Sequence, residues 1–319
     1  MALKEIRPGL FRITINTGLF PSNIYLIDRG VPTLIDTGPN HTVSALNEGL
    51  AQAGRCLSEI QRLFLTHIHW DHVGAAKAVA ADLRGEMVCL SAARHILTDY
   101  EADLARLVQT RGIFLDRAGV PKKIVRTILA DLDHYGRFGQ SAMPHGVFES
   151  GQTFSLGQAS LSAIATPGHT PQCVSFYAKE DGILFSGDFL MRHFSTYLTP
   201  HISEENAYLP LNAYEESLRR VQQLPIRLVL PGHGPAIQDP HGRISKIQRS
   251  MKAYRETILR IIAQEPKSQF QIHSALNGTV NHWSLSFSIA DVAAHLGVLL
   301  AEKKVHRQDR NGVDFFSLG

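Results

Sequence analysis

Cysteine is scarce: three residues in 319, Cys56, Cys89 and Cys173, an odd number with no C-x-x-C pair. That excludes a disulfide framework and a cysteine-built zinc site, and it makes a reducing, cytoplasmic compartment the expected one. Long hydrophobic runs are missing too. No stretch stays apolar for the roughly 18 residues that a membrane span needs, and the start, MALKEIRPGLF, lacks the apolar core of a secretory leader. A membrane is therefore not an expected partner. Nor does one sign of charge dominate: the net charge is +3, with 11 Lys/Arg against 6 Asp/Glu in residues 241–319 and 21 against 23 before them. The mildly basic tail reads as solvated helix faces, which leaves nucleic acid as an alternative partner and not the favoured one. Internal repeats and low-complexity tracts are absent as well. A chain of this length, 44% hydrophobic, is expected to form one large domain and a smaller appendix.

What the chain has instead is clustered histidine. LTHIHWDHVG places His67, His69, Asp71 and His72 in six consecutive positions as H-x-H-x-D-H. Imidazole and carboxylate together are the donors that zinc and similar first-row ions take. Burying so many polar rings without a metal would leave them unpaired, which costs free energy. One loop cannot complete such a site, and three more candidates follow: His169 in TPGHTP, Asp188 in FSGDFL and His233 in LPGHGP. Each lies in a glycine-containing loop after an apolar run, where the backbone can bend and project one side chain. Seven residues on four loops make two metal sites. Solitary histidines such as His95, His134, His145, His241, His273, His295 and His306 are expected on the surface or as satisfied core groups.

The coarse pattern is α/β. LFRITI, NIYLID and PTLIDTG read as paired strands, Thr42 to about Ala53 as a helix, and IQRLFLTH as a buried strand that delivers the histidine cluster to a strand end. GAAKAVAADL is helix-prone. Residues 91 to about 142 show apolar positions three and four apart and form a helical insertion. ASLSAIAT, VSFYAK, GILFSGD and RLVLPGHG are further strands, with a helix near Ala213 to Gln223. After Pro240 come a helix over Gly242 to Gln264, a piece near His273, another from Ser288 to Lys303, and a hairpin turned by RNG.

With H-x-H-x-D-H followed by a histidine, an aspartate and a final histidine, the sequence resembles the metallo-β-lactamase superfamily over roughly residues 5 to 240. The resemblance implies an αββα sandwich, with residues 1–240 as the catalytic domain and 241–319 as a small winged-helix-like domain. It implies that His67, His69 and His169 hold one metal, that Asp71, His72 and His233 hold the second, and that Asp188 bridges them. Asp36 of LIDTG would lie behind the site and orient a ligand histidine. His69 stands where the diiron electron-transfer branch carries a glutamate, which favours two zinc ions; iron and manganese stay open, since persulfide-oxidising relatives keep a similar signature around a single iron.

Two cations lower the pKa of a bridging water, so the expected chemistry is hydrolysis of a small ester, lactone or thioester, with Asp71 helping to move a proton to the leaving group. The alternatives are a phosphodiesterase or endoribonuclease acting on RNA, since an endoribonuclease-like group resembles this chain in tail position and in PGHGP, and a nucleic-acid-binding regulator with a structural metal. The third tail helix, SIADVAAHLGVLLAEKK, is too apolar to read bases, so the tail is expected to pack, to form a homodimer or to edge the substrate site. Tyr100, Phe114, Tyr135, Phe138, Arg192, His193 and Tyr197 are candidates to line a pocket, and Trp70 is expected as wall packing.

Overall fold

In the computed structural model, which describes residues 1–193 and 210–319, the apolar runs pair into two facing sheets. The first holds seven strands side by side in chain order: β1 (Ala2–Arg7), β2 (Leu10–Asn16), β3 (Pro21–Ile27), β4 (Thr33–Ile35), β5 (Arg62–Phe64), β6 (Glu86–Leu90) and β7 (Gly146–Phe148). β1 to β4 run antiparallel, and β4 to β7 run parallel. The second sheet is built from β8 (Thr153–Ser155), β9 (Ser160–Ala165), β10 (Val174–Ala178), β11 (Ile183–Gly187) and β12 (Leu228–Pro231), in the order β12-β11-β10-β9-β8. Only its β11–β12 pair is parallel.

β10, β11 and β12 read as mostly apolar runs because both of their faces are covered. Phe176, Phe185 and Leu230 point into the core shared with the first sheet, while the alternate residues Tyr177, Leu184 and Val229 join a separate cluster on the far side. Between the sheets, the Phe64 ring meets Phe148, Phe154 and Phe176 at 4.7–6.1 Å between ring centres. On the first sheet's side, α1 (Val43–Gln52) contributes Leu46 and Leu50 to the core; the short α2 (Trp70–Val73) and α3 (Ala76–Asp82) add Val73 and Val79. The insertion is the crossover between parallel β6 and β7 and contains α4 (Arg94–Thr98), α5 (Tyr100–Arg117) and α6 (Lys122–Gly136). α7 (Pro210–Gln222) and α8 (Pro240–Ile262) cover the second sheet through Tyr214, Leu218, Ile244 and Ile247.

After α8 come β13 (Lys267–Ser268), α9 (Gln269–Asn277), α10 (His282–Ala301), β14 (Val305–Arg310) and β15 (Val313–Leu318), with a small sheet in the order β13-β15-β14. Asn311 and Gly312 turn the hairpin with φ of 54° and 82°, the left-handed pair that a two-residue hairpin loop demands. α10 is, among the described residues, the one helix long and apolar enough to cross a membrane. Its apolarity has a packing cause. Leu285, Ile289 and Ala293 meet Phe114, Val125 and Ile128 of the insertion; Ala294 and Val298 meet the cluster of α7 and α8; Val292, Leu296 and Leu299 meet Ile258, Ile272 and Phe316. Over residues 292–299, where every residue is buried, the helix has no polar face to keep. It also begins at His282, earlier than the expected Ser288, because the Asn281 side chain caps it by accepting from the Ser284 amide at 2.8 Å.

Candidate metal centre

Five strands deliver the site from one edge of the sandwich. Asp36 follows β4, the Thr66–His72 segment follows β5, His169 follows β9, Asp188 follows β11 and His233 follows β12. β4 and β5 are parallel, as are β11 and β12, and β9 shares their direction through antiparallel β10, so the carboxyl ends in each sheet lie together. All seven residues singled out in the sequence come together there.

Their donor atoms fall into three overlapping groups, His67–His69–His169, His67–His72–Asp188 and Asp71–His72–His233, with the atoms of each group within 4.8 Å of one another. His69 Nδ1 lies 3.1 Å from His67 Nε2 and 2.9 Å from His169 Nε2. His233 Nε2 lies 3.3 Å from His72 Nε2 and 3.1 Å from Asp71 Oδ2. Asp188 spans the two sets: Oδ1 is 3.4 Å from His72 Nε2, and Oδ2 is 3.5 Å from His169 Nε2 and 3.4 Å from His233 Nε2. Ligands of a tetrahedral ion with bonds of about 2.1 Å stand about 3.4 Å apart, so the donor set fits zinc-like ions.

The outward atoms of these rings are held from behind. Asp36 Oδ1 accepts from the Thr66 amide at 2.8 Å; Oδ2 accepts from the Thr66 hydroxyl at 2.7 Å and from His72 Nδ1 at 2.8 Å. The Thr66 hydroxyl, having given its proton to Asp36, faces His67 Nδ1 at 3.1 Å as an acceptor. One carboxylate thus sets the tautomer of two rings and leaves the Nε2 of each to the site. Asp36 does so at φ 64°, a backbone conformation that is costly for a residue with a side chain. His233 donates from Nδ1 to the Pro21 carbonyl at 2.8 Å. The turn that carries it is clamped by Asn23, whose Nδ2 donates to Pro231 at 3.0 Å and Gly234 at 2.9 Å, and by the Tyr25 hydroxyl, which donates to Pro231 at 2.7 Å. A Cβ on Gly232 would stand 2.5 Å from His72 Cε1 and 2.6 Å from Asp188 Oδ1, so only glycine lets this backbone pass so close.

Burial disfavours charge on every ring, yet the rings divide. Burial and the neighbouring imidazoles keep His67 well below its ordinary value, and burial with His169 takes His69 down to about 3. Burial works in the same direction on His72 and His233, but Asp188 and Asp71 outweigh it at both, with Asp36 adding to His72; His72 is raised well above its usual value and His233 to about 10. The protein alone meets its carboxylates with protons; a divalent cation satisfies the same demand.

A family profile described as Metallo-beta-lactamase superfamily matches residues 17–233. The chain belongs to that superfamily. Among its relatives, the "Probable metallo-hydrolase YqjP" of Bacillus subtilis is 27% identical over 295 residues, 88% of each chain. An "Atrochrysone carboxyl ACP thioesterase" of Aspergillus fumigatus is 30% identical over 112 residues, 35% of this chain and 32% of that one. A solved metallo-beta-lactamase family protein of Thermus thermophilus superposes with a TM-score of 0.79 at 24% identity, covering 99% of this chain and 100% of that one, which shows a common fold.

Around this metallo-beta-lactamase centre the residues expected to line a pocket divide. Tyr135 and Phe138 pack half-buried against Trp70, at 5.8 and 5.7 Å between ring centres. Tyr100 and Phe114 do not line it. The Tyr100 hydroxyl is buried and donates to the Gly136 carbonyl at 3.0 Å, and Phe114 lies in the core shared with α10. Arg192 and His193 are exposed, and Tyr197 lies outside the described residues. Sequence reasoning passed over Phe20, which meets the His233 ring edge-on at 4.7 Å, and Trp283, which meets Tyr135 at 5.2 Å. Neither sits in a motif; they are brought in by a turn and by the start of α10.

Proposed function

We propose that this metallo-hydrolase holds two zinc ions and hydrolyses a small ester, lactone or thioester. Asp188 carries the reading: its two oxygens face donors of both sets, which is what a ligand common to two ions requires. His67, His69 and His169 would hold one ion, Asp71, His72 and His233 the other. When bound, such ions polarise a carbonyl and make a water acidic enough to attack near neutral pH. The chain's own part is positional and protonic. Asp36 and Thr66 fix the ring tautomers. Asp71, 3.1 Å from His233 Nε2 within the second donor set, would carry a proton toward the leaving group. The thioesterase named among the relatives supports a carbonyl substrate.

We read the tail as a winged helix from its order of three helices and a hairpin that pairs with β13. Residues 292–299 of its third helix, α10, are all buried, against α7 and α8 and against the tail's own core, so the middle of the helix has no face left for a nucleic-acid groove, which favours a packing role. Three free cysteines suit a reducing, cytoplasmic setting. The test is metal content by elemental analysis, with rates on nitrophenyl acetate, a lactone, a thioester and bis-nitrophenyl phosphate. About two zincs per chain with carbonyl turnover is expected, lost by roughly a thousandfold or more in Asp71→Ala with the fold retained. One iron and no hydrolysis, or turnover of the phosphodiester alone, would overturn it.

A further inference from the structure

A run of aromatic rings leaves the metal centre along one side. Phe20 touches the His233 imidazole; Trp70 lies 6.3 Å from Phe20; Tyr135 stacks on Trp70 at 5.8 Å with 26° between planes; Trp283 meets Tyr135 at 5.2 Å, and Phe287 meets Trp283 at 5.3 Å. Phe138 flanks the run, 5.7 Å from Trp70 and 6.0 Å from Tyr135. These side chains come from four separate parts of the chain: the turn before β3, α2, the end of α6 with the turn after it, and the first turns of α10. Phe20, Trp70, Tyr135, Phe138 and Trp283 are each partly exposed, unlike the packing rings Phe64, Phe176 and Phe185, which are fully covered. Neighbouring aromatic rings that keep part of their surface exposed beside a reactive centre are what a ligand site provides.

The charges beside the band say what kind of ligand fits. Asp131, one helical turn before Tyr135 on the same face of α6, pairs with His282 at 2.7 Å. Asp133 takes the Arg137 guanidinium at 2.8 and 3.1 Å. Each of these two bases already faces a carboxylate. A polyanion laid on the rings would find acids and committed bases; an uncharged apolar group would find only rings.

We propose that this band is an acyl track: it holds the apolar acyl part, a long aliphatic chain or an aromatic system, of an ester or thioester whose carbonyl lies at the metal centre. The proposal rests on the carbonyl-hydrolase reading above and narrows its substrate. A short acyl group beside His233 reaches no further than Phe20, whereas a longer one runs over Trp70 and Tyr135 to Trp283. The C-terminal unit thereby supplies part of the specificity surface.

The chain has two tryptophans, and both stand in the band. Intrinsic fluorescence therefore reads it without a label, on the full metal-loaded chain and without any need for turnover. The probes are decanoate, 2-naphthoate, acetate and a short oligouridylate. The expected result is a saturable change in emission with decanoate and naphthoate and none with acetate. Trp283→Ser and Tyr135→Ser should weaken both by roughly tenfold, and Trp283→Phe should restore most of the decanoate response in the Trp70 signal. A saturable response to the oligouridylate alone overturns the proposal in favour of nucleic acid, and no saturable response to any probe overturns it outright. Rates add a second reading: nitrophenyl decanoate should exceed nitrophenyl acetate in kcat/KM by on the order of tenfold, a ratio that collapses in Trp283→Ser. Equal rates on the two esters would count against the track. Decanoate binding without ester hydrolysis would remove the hydrolase reading and leave the track standing.

Discussion

At the scale of single residues, the groups that position the site matter as much as the seven that form it. Asn23 is the clearest case. Its side chain and amide reach three carbonyls of the turn around His233, at Pro231, Gly232 and Gly234, and its Oδ1 is held by the Thr14 hydroxyl at 2.9 Å. Asn23→Ala removes the two side-chain bonds, leaving the Pro231 carbonyl to the Tyr25 hydroxyl alone and the exposed Gly234 carbonyl to water, at a cost of about 1–2 kcal/mol. The local consequence is a looser His233. With two ions bound as proposed, titration with a competing chelator should show one binding step displaced by about tenfold or more and the other unmoved. Equal weakening of both steps would mean that Asn23 serves only the fold. The seven donors were legible in the sequence because a metal demands particular side chains at fixed spacings. Asn23, Tyr25 and Thr66 were not, because a residue that holds a backbone carbonyl is recognised only once the two strands are known to meet.

At the scale of elements, what could be read followed the strength of the periodic pattern. α5, α6 and α8 announce themselves by apolar residues three and four apart, and β10 to β12 by mostly apolar runs. β1 was missed because Ala2–Arg7 is an edge strand whose residues are exposed or half-buried, and β7 and β8 because they are short and mostly exposed or half-buried, unlike the equally short but mostly buried β4 and β5, and so show no apolar run. The fully buried middle of α10 shows what such burial implies for stability. His295 on this helix is 6% exposed and packs against Tyr254 at 4.7 Å between ring centres. Burial, with Arg255 nearby, pushes its imidazole down from 6.5 to about 3. Folded protein therefore keeps His295 neutral where the unfolded chain would protonate it, so stability contributed by this residue is full above 6.5 and is lost as the pH falls from there toward 3. The slope is about 1.4 kcal/mol per pH unit. Urea melts of the native chain and His295→Leu, compared at about pH 7 and about pH 5, should differ by roughly 2 kcal/mol more at one pH than at the other, with the native chain losing more on acidification. Parallel losses in the two proteins would show that His295 finds water or a partner in the native state.

At the scale of the whole molecule, the boundary after residue 240 that the change in sequence character suggests does not coincide with a break in packing. α8 begins there and supplies Ile244, Ile247 and Met251 to the cluster that covers β10–β12. α10 supplies Leu285 and Ile289 to the core of the insertion and Val298 to the cluster of α7. Arg117 of α5 holds the buried Asp314 of β15 in a two-pronged pair at 3.1 and 2.6 Å, and the Phe270 amide donates to the Ala118 carbonyl at 2.9 Å. The tail has a small core of its own around Ile258, Ile272, Leu296 and Phe316, yet it is also tied into the sandwich and the insertion at each of these places. Six side chains of this kind, each contributing about 1.5–3 kcal/mol by burial, amount to on the order of 10 kcal/mol, which is comparable to the roughly 5–15 kcal/mol that holds a typical domain together. A chain ending at residue 240 should therefore fail as a folded monomer even though it keeps all seven donors. The check is expression of residues 1–240 beside the full chain, read by thermal melting, size exclusion and zinc content. A cooperative melt within a few degrees of the full chain, with zinc retained, would show the sandwich to be self-sufficient. Aggregation or the lack of any transition would show that α8 and α10 complete the layer on which the second sheet depends, and that the metal centre at its edge is only as stable as that layer.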